Sequence, residues 1–169
     1  MKVMNDNTKI YSSKQEHLVA KLVDGKVVAG SGARDLHPGD VKNDEFLIEC
    51  KTHMTRTDRI EFFADVWDKI SSEAESRLKF PALVVDNGTQ TPEGSWVLTR
   101  IGAIQVANCK MFECPCKISV NLKFSHDQFL KITNMLHQKF NAPIAYVIPF
   151  NPQSLVLLTL QDFVEVRFK

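Results

Sequence analysis

Two acidic residues and a lysine, spaced across one predicted hairpin, are the residues of this sequence with the clearest chemistry. Asp40 is expected to end the strand before the turn, and Glu49-Cys50-Lys51 ends the apolar strand that follows it. The Asn-Asp pair at 43–44 is typical of a turn, so we expect the hairpin to bring Asp40 beside Glu49. Because side chains alternate along a strand, Glu49 and Lys51 should share one face while Cys50 points to the other.

This combination of charges suits phosphodiester hydrolysis. Magnesium prefers oxygen ligands and commonly binds one or two protein carboxylates together with water and phosphate. An ammonium group beside such an ion can polarise an attacking water. The spacing therefore predicts Asp40 and Glu49 as metal ligands and Lys51 as a catalytic residue. The alternative is the solvated face of an edge strand, on which acidic and basic residues alternate.

Two segments upstream bear on this choice. An amphipathic helix is predicted over residues 12–23, where a serine at its start and Glu16 about three residues later have the spacing of a capping box. A strand at 26–29 then enters the small-residue turn Gly-Ser-Gly-Ala at 30–33. Such glycines allow the backbone to approach another group closely, here a phosphate, although an ordinary turn between strands has the same composition.

Taken in order, four short segments resemble the PD-(D/E)XK nuclease superfamily. They are Ser-Lys-Gln-Glu at 13–16, Gly-Ser-Gly-Ala at 30–33, Pro-Gly-Asp-Val at 38–41 and Phe-Leu-Ile-Glu-Cys-Lys at 46–51. The likeness is greatest to the Holliday-junction resolvases of phages and archaea. It covers about the first third of the chain well, and the rest by general architecture only.

The resemblance assigns roles to individual residues. It implies that Asp40 and Glu49 hold a metal with the main-chain carbonyl of Cys50, and that Glu16 reaches the metal directly or through water. It also implies that Ser31 lies at the active site against the scissile phosphate. In this family a lysine at the position of Lys51 orients or deprotonates the attacking water.

The function implied is that of a metal-dependent DNA endonuclease, most closely a four-way-junction resolvase, with Mg²⁺ as cofactor and Mn²⁺ as a substitute. Symmetric cutting of two strands leads us to expect a homodimer. The net charge is only +1, so DNA binding requires a local basic surface. The residues expected to contact DNA are Lys14, Ser31, Gly32, Arg34 and Arg56. Two alternatives remain: another PD-(D/E)XK nuclease of nicking, mismatch-directed or restriction type, and a non-catalytic binding module of the same fold.

The predicted fold is an α/β restriction-endonuclease-like core, with a central mixed sheet flanked by helices in the order α-β-β-β-α-β. A long helix over 60–79, capped by Thr57 or Asp58, follows the Glu-x-Lys strand, and Phe63 and Trp67 belong to its apolar, core-facing side. A buried strand follows at 80–85. We expect one domain over residues 1–169, with a catalytic core at 1–88 and a sheet extension at 89–169.

The second half has a strand-helix-strand-strand pattern that echoes the first half. The strand at 117–124 places Asn121 where Glu49 stands, Ser125 and Asp127 start the helix, and strands follow at 142–148 and 154–160. Duplication and chance similarity both account for this pattern. In either case the segment is expected to extend the sheet.

The spacing of the cysteines argues against a zinc site. Cys109, Cys114 and Cys116 have C-x4-C-x-C spacing, whereas zinc sites usually pair C-x-x-C units, and His126 or His137 would have to fold back as fourth ligand. We therefore expect reduced thiols without zinc. The sequence contains no stretch long enough to cross a membrane and begins with polar residues, so we expect a cytoplasmic protein, in the host cytoplasm if phage-encoded.

Overall fold

The computed structural model describes residues 6–29, 39–116 and 120–169. In chain order the elements are α1 (Asp6–Leu22), β1 (Lys26–Val27), β2 (Val41–Lys42), β3 (Phe46–Lys51), β4 (Arg59–Phe62), α2 (Ala64–Glu75), β5 (Phe80–Asp86), β6 (Ser95–Arg100), β7 (Lys110–Glu113), β8 (Leu122–Ser125), α3 (His126–Phe140), β9 (Ile144–Ile148), β10 (Leu155–Thr159) and α4 (Leu160–Val166). Two single-turn 3-10 helices, Ile101–Ala103 and Val106–Asn108, connect β6 to β7.

Eight of the ten strands in the described residues form one mixed sheet in the order β1-β2-β3-β5-β6-β10-β9-β7. β3 runs parallel to β5 and β7 runs parallel to β9, while the other neighbours are antiparallel. The remaining strands, β4 and β8, pair with each other as a separate two-stranded ribbon. The prediction of an α/β fold with a central mixed sheet flanked by helices is therefore confirmed.

Strand alternation divides the hydrophobic core into one cluster on each face of the sheet. On one face Leu47 and Leu83 pack with Trp67 of α2 and with the β4–β8 ribbon. On the opposite face Ile48 and Val84 pack with α1 and α4. Since successive residues of β3 and β5 enter different clusters, both faces of these strands are buried, as expected for parallel neighbours.

The helix predicted over 60–79 is wrong at its start. Arg59–Phe62 forms β4, and α2 begins at Ala64 with Phe63 as its N-cap residue. Ile60 and Phe62 are buried while the intervening Glu61 is only partly covered, a period of two that suits a strand paired with β8. Trp67 is buried as predicted, but Phe63 is 48% exposed and lies outside the core.

Asp58 caps α3, and not α2, the helix that follows it in the sequence. Its Oδ1 accepts a hydrogen bond from the Asp127 amide at 2.7 Å, and its Oδ2 accepts one from the Ser125 hydroxyl at 2.7 Å. These bonds lower the pKa of the Asp58 carboxyl. The predicted start of α3 is confirmed, since Ser125 is its N-cap and accepts from the Gln128 amide. Asp58 is therefore a helix-capping residue, as predicted, but the helix that it caps is distant in the sequence.

The second half extends the sheet with β9 and β10, as expected, but β8 lies outside the sheet. Asn121 therefore does not occupy a position equivalent to Glu49; its side-chain oxygen accepts from the amide of Ala64 at the start of α2. Residues 117–119 of the predicted strand lie outside the described residues. The two halves of the chain therefore have similar sequence patterns but different topologies.

No helix within the described ranges is long and apolar enough to cross a membrane.

A matched pair of leucine substitutions tests this core. Leu157 of β10 is fully buried between β6 and β9, whereas Leu78 is 97% exposed. Leu157→Ala should lower the free energy of unfolding by about 2–5 kcal/mol, because the cavity closes only partly. Leu78→Ala should change it by less than about 0.5 kcal/mol. Equilibrium urea unfolding measures both, and equal losses would contradict the described core.

Candidate active site

Gly39 and Asp40 fix the backbone at the start of β2. Gly39 has φ of +67°, and a Cβ atom there would lie 2.9 Å from the Leu47 side chain, so a glycine is needed for both reasons. The Asp40 amide donates to the Ile48 carbonyl at 2.8 Å, and the Asp40 carbonyl accepts from the Val28 amide at 2.8 Å. Asp40 is thereby held between β1 and β3.

The Asp40 carboxylate is directed at the Glu-x-Lys segment. It is 9% exposed, and its Oδ2 accepts a 2.8 Å hydrogen bond from the amide of Cys50. That amide lies between Glu49 and Lys51 in the chain, so one short bond brings the first predicted acid to the predicted motif. The structure thus brings these residues together at one end of β3.

Glu49 and Lys51 share a face, as predicted, and form an ion pair with 2.6 Å between Oε1 and Nζ. Partial burial works to lower the pKa of Lys51, but the hydrogen bond and charge of Glu49, with the charge of Asp40, raise it above its ordinary value. Lys51 is therefore a protonated ammonium at neutral pH. The Cys50 side chain points to the other face, where it is 8% exposed and packs in the α1 cluster, as predicted for a small buried apolar residue.

Helix α1 is joined to the end of β3 by Gln15. This side chain is 1% exposed, and its Nε2 donates to the Lys51 carbonyl at 2.9 Å. Nothing in the sequence predicts this role for Gln15, because a glutamine inside an apolar stripe carries no signal of its own. Its position places the next residue, Glu16, near the motif.

The capping-box interpretation of Glu16 is wrong. Helix α1 begins at Asp6, so Ser12 and Ser13 lie inside the helix and cap nothing. Once a helix is nucleated, each added residue gains a hydrogen bond, and polar residues upstream of an apolar stripe can extend it.

The carboxyl of Glu16 is electrostatically coupled to the other two acids. Its pKa is raised chiefly by burial and then by the negative charge of Asp40; Glu49 raises it further, while His17 and Lys51 oppose the change. Three carboxyl groups therefore lie within reach of one another's fields. Their mutual repulsion is of the kind that a bound cation relieves.

A cleft of about 300 Å³ opens beside Lys51. Its floor is formed by the buried side chains of Leu83 and Val85 in β5, and Arg59 of the β4–β8 ribbon lies along one side. A larger concavity of about 650 Å³ lies at the opposite end of β3, among residues such as Lys42 and Arg167, and its described lining includes neither Asp40, Glu49 nor Lys51.

The predicted DNA-contacting residues are placed in part. Lys14 is exposed on α1. Arg56 is exposed but is ion-paired with Asp127, with 2.6 Å between Nη2 and Oδ1. Ser31, Gly32 and Arg34 lie outside the described residues.

The donor set at the end of β3 suits a hard cation better than a soft one. Among the residues of the three described ranges, no three or more His, Cys, Asp or Glu side chains form a ready-made metal-binding group. Magnesium needs no such group, because it is commonly held by one or two carboxylates and completes its shell with water and phosphate. Asp40 and Glu49 fit that requirement.

The three clustered cysteines are divided between the two faces of the sheet. Cys109 packs on the α4 side, whereas Cys114 and Cys116 pack on the α2 side. A hydrogen bond from the Cys116 thiol lowers the pKa of Cys114 to about 7, against the effect of burial. The two histidines considered as a fourth ligand have other partners.

His126 accepts a hydrogen bond from Trp96 Nε1 at 3.0 Å, and His137 Nε2 lies 2.9 Å from Asp162 Oδ2. Burial lowers the pKa of His126, which favours the neutral ring that this bond requires. Both rings are therefore engaged in packing the fold.

Comparison of the chain with protein-family models, with curated proteins and with solved structures gives no match.

Substitution of Glu16 tests the coupled carboxyl groups. The folded protein holds the Glu16 proton more tightly than the unfolded chain, in which a glutamate has a pKa of about 4.3. Stability should therefore fall as pH rises from about 4.3 through the raised folded pKa, and Glu16→Gln should remove that fall. Relative to the parent, the variant should gain stability between about pH 4 and pH 7 in metal-free urea unfolding.

The matched control is Glu113→Gln on the edge strand β7, which should show no such gain. A Glu16→Gln variant that loses about 1 kcal/mol throughout this pH range would instead indicate that the Glu16 carboxylate accepts a structural hydrogen bond.

Elemental analysis tests the cysteine assignment. Because Cys109 faces away from Cys114 and Cys116, the purified protein should contain no stoichiometric zinc, and chelator should leave its unfolding curve unchanged. One equivalent of zinc, lost together with the fold on chelation, would overturn this assignment.

Proposed function

We propose that this protein is a magnesium-dependent DNA endonuclease of the PD-(D/E)XK type whose preferred substrate is branched DNA, in particular the four-way junction. The observation that carries the proposal is the hydrogen bond from the Cys50 amide to Asp40. It joins the first acid to the Glu-x-Lys motif, and Glu16 lies within the field of the same acids.

The topology around the motif supports a restriction-endonuclease-like core. Helix α1 precedes the antiparallel strands β1, β2 and β3, and α2 then leads to β5, which pairs in parallel with β3. This is the α-β-β-β-α-β order of that core, with β4 inserted before α2. The motif lies at the end of β3 where the parallel pair terminates, a common place for a site in α/β proteins.

Asp40 and Glu49 would hold the magnesium ion, with the Cys50 carbonyl and with Glu16 directly or through water; Mn²⁺ would substitute. When bound, the ion supplies Lewis-acid activation of water and neutralises charge on the phosphate. The hard carboxylate oxygens of this site match that ion.

Lys51 has an electrostatic role in this proposal. Its ion pair with Glu49 keeps the ammonium protonated, so it is poised to donate hydrogen bonds to the attacking water or to a phosphate oxygen. Charge that develops on the phosphorane is stabilised by such a donor at close range. Of the two roles implied for this lysine, orienting the water is therefore favoured over removing its proton.

The remaining parts of the proposal follow the resemblance. Water attacks in line and leaves a 5′-phosphate and a 3′-hydroxyl, with Ser31 aligning the scissile phosphate. Lys14 and Arg56, with the basic residue Arg34, would contact the DNA backbone. A twofold homodimer would place two sites for paired cuts across a junction, and solution mass by light scattering measures that state.

The test is incubation of the protein with labelled four-way junction, flap, duplex and single strand, with magnesium and then with EDTA. The junction should be cut in magnesium and by symmetric paired nicks, and EDTA should stop the reaction. Equal cleavage of plain duplex would favour a nicking, mismatch-directed or restriction-type enzyme. Binding without cleavage of any substrate would favour a non-catalytic module.

Amide substitutions at the two acids test the chemistry directly. Asp40→Asn and Glu49→Gln keep side-chain size and an acceptor oxygen, so the bonds to the Cys50 amide and to Lys51 can persist. Loss of an outer-sphere partner already lowers metal affinity or activity by about 10–100-fold, so we expect a loss of cleavage of at least about 100-fold. DNA binding, measured by fluorescence anisotropy, should remain.

Glu113→Gln on β7 is the control and should cut like the parent protein. Unchanged cleavage by either Asp40→Asn or Glu49→Gln would remove the basis of the proposed function.

A further inference from the structure

The cleft beside Lys51 has a lining that phosphodiester hydrolysis alone does not require. Leu83 and Val85 form an apolar floor, and Val66 of α2 closes one side. Phe63 stands at the lip with 48% of its surface exposed. At about 300 Å³ the cleft lies at the lower end of the size range of ligand pockets, which is larger than a phosphate group needs.

The rim of the cleft is polar and includes two cations, Lys51 and Arg59, each ion-paired with a glutamate. Glu61, the acidic residue that lines it, is contacted by Arg59 at 3.0 Å and by Lys123 at 3.1 Å. The Glu61 charge is thus matched twice, and these contacts lower the pKa of its carboxyl against the effect of burial. Lys51 adds a further cation at the side nearest the candidate active site, and His53 completes the rim.

The cleft wall is held rigidly by the segment that follows β5. Thr52 Oγ1 donates to the buried Asp86 carboxylate at 2.7 Å, and the Thr57 amide donates to the Asn87 carbonyl at 2.8 Å. Gly88 lies so close that an added Cβ would be 2.4 Å from the Thr55 carbonyl oxygen. The loop between β3 and β4 is therefore braced along its length, and the cleft is preformed.

We infer that this cleft takes one unstacked nucleobase of the strand being cut, next to the scissile phosphate. A base has apolar faces and a polar edge, which match the apolar floor and polar rim. Phe63 offers a ring on which the base can stack, and Lys51 and Arg59 line the cleft as donors for the flanking phosphates. The inference rests on the proposed nuclease function and adds a criterion for which DNA substrates the protein would cut.

The criterion is that a base must be able to leave the stack at the cut. A base inside a continuous duplex must be unpaired and unstacked before it can enter a protein pocket, and the cost is least where it is already mispaired or single-stranded. Branch points and flaps provide such bases. The cleft thereby favours branched over continuous DNA through the state of one nucleotide, without reading its sequence.

The experiment places the fluorescent base 2-aminopurine at successive positions around the mapped cut in a four-way junction. Binding is followed with Glu49→Gln protein in magnesium, which is expected to hold the junction uncut. We expect fluorescence to rise at one position beside the cut, because unstacking from neighbouring bases removes quenching. Phe63→Ala in the same background should abolish the rise and weaken binding about tenfold.

Phe150→Ala is the matched control, since Phe150 is 49% exposed and does not line this cleft. It should keep the signal and the affinity, and Phe63→Tyr, which retains the ring, should restore both. Circular dichroism of each variant checks that Phe63→Ala remains folded.

The outcomes separate the two proposals. The base-binding inference is overturned, and the proposed nuclease function is kept, if the parent protein cuts the junction in magnesium but 2-aminopurine fluorescence rises at no position. The same conclusion follows if Phe63→Ala binds the junction with unchanged affinity. If the parent protein cuts none of the substrates, the proposed function fails and the inference falls with it.

Discussion

The fold and the candidate site both depend on how the short strand β2 is fixed against β3. The ladder between them has two residue pairs, and beyond it the chain is held by Asp40, whose amide bonds the Ile48 carbonyl and whose carboxylate bonds the Cys50 amide. Gly39 allows this close approach through its left-handed backbone. A side chain that could bind a metal is thus also a side chain that continues a strand pairing, and the two roles use the same carboxyl group.

The same arrangement concentrates negative charge at the end of β3. Burial and the neighbouring acids raise the pKa of Glu16, and the nearby ammonium of Lys51 is bound to Glu49. A solvated strand face with alternating charges would leave its acids in water, whereas the Asp40 carboxylate is 9% exposed and accepts a hydrogen bond from the Cys50 amide. Arrangements that penalise their own ionisation are more typical of functional sites than of structural ones, which is why the charges support the nuclease proposal.

The sequence predicts local features of this chain well and partner choice less well. The hairpin, the Glu-x-Lys strand and the cap at Ser125 are each encoded by adjacent residues, and the structure contains all three. The start of α2 was missed because Ile60 and Phe62 fit a helical stripe as well as a strand, and only pairing with the distant β8 decides between them. The role of Gln15 is likewise not evident from neighbouring residues, because it depends on the hydrogen bond to the distant Lys51 carbonyl.

The β4–β8 ribbon makes one wall of the cleft from two segments that are far apart along the chain. A nascent chain that has emerged only as far as β5 already contains every carboxylate of the candidate site, yet it lacks the strand against which Arg59 and Glu61 are held. Contacts of such long sequence separation form late, because the intervening chain must first be ordered. The order of synthesis would therefore make the acidic residues available before the ribbon that walls the adjacent cleft. If the protein is the proposed nuclease, the surface that selects the substrate would form after the segment that carries the metal ligands.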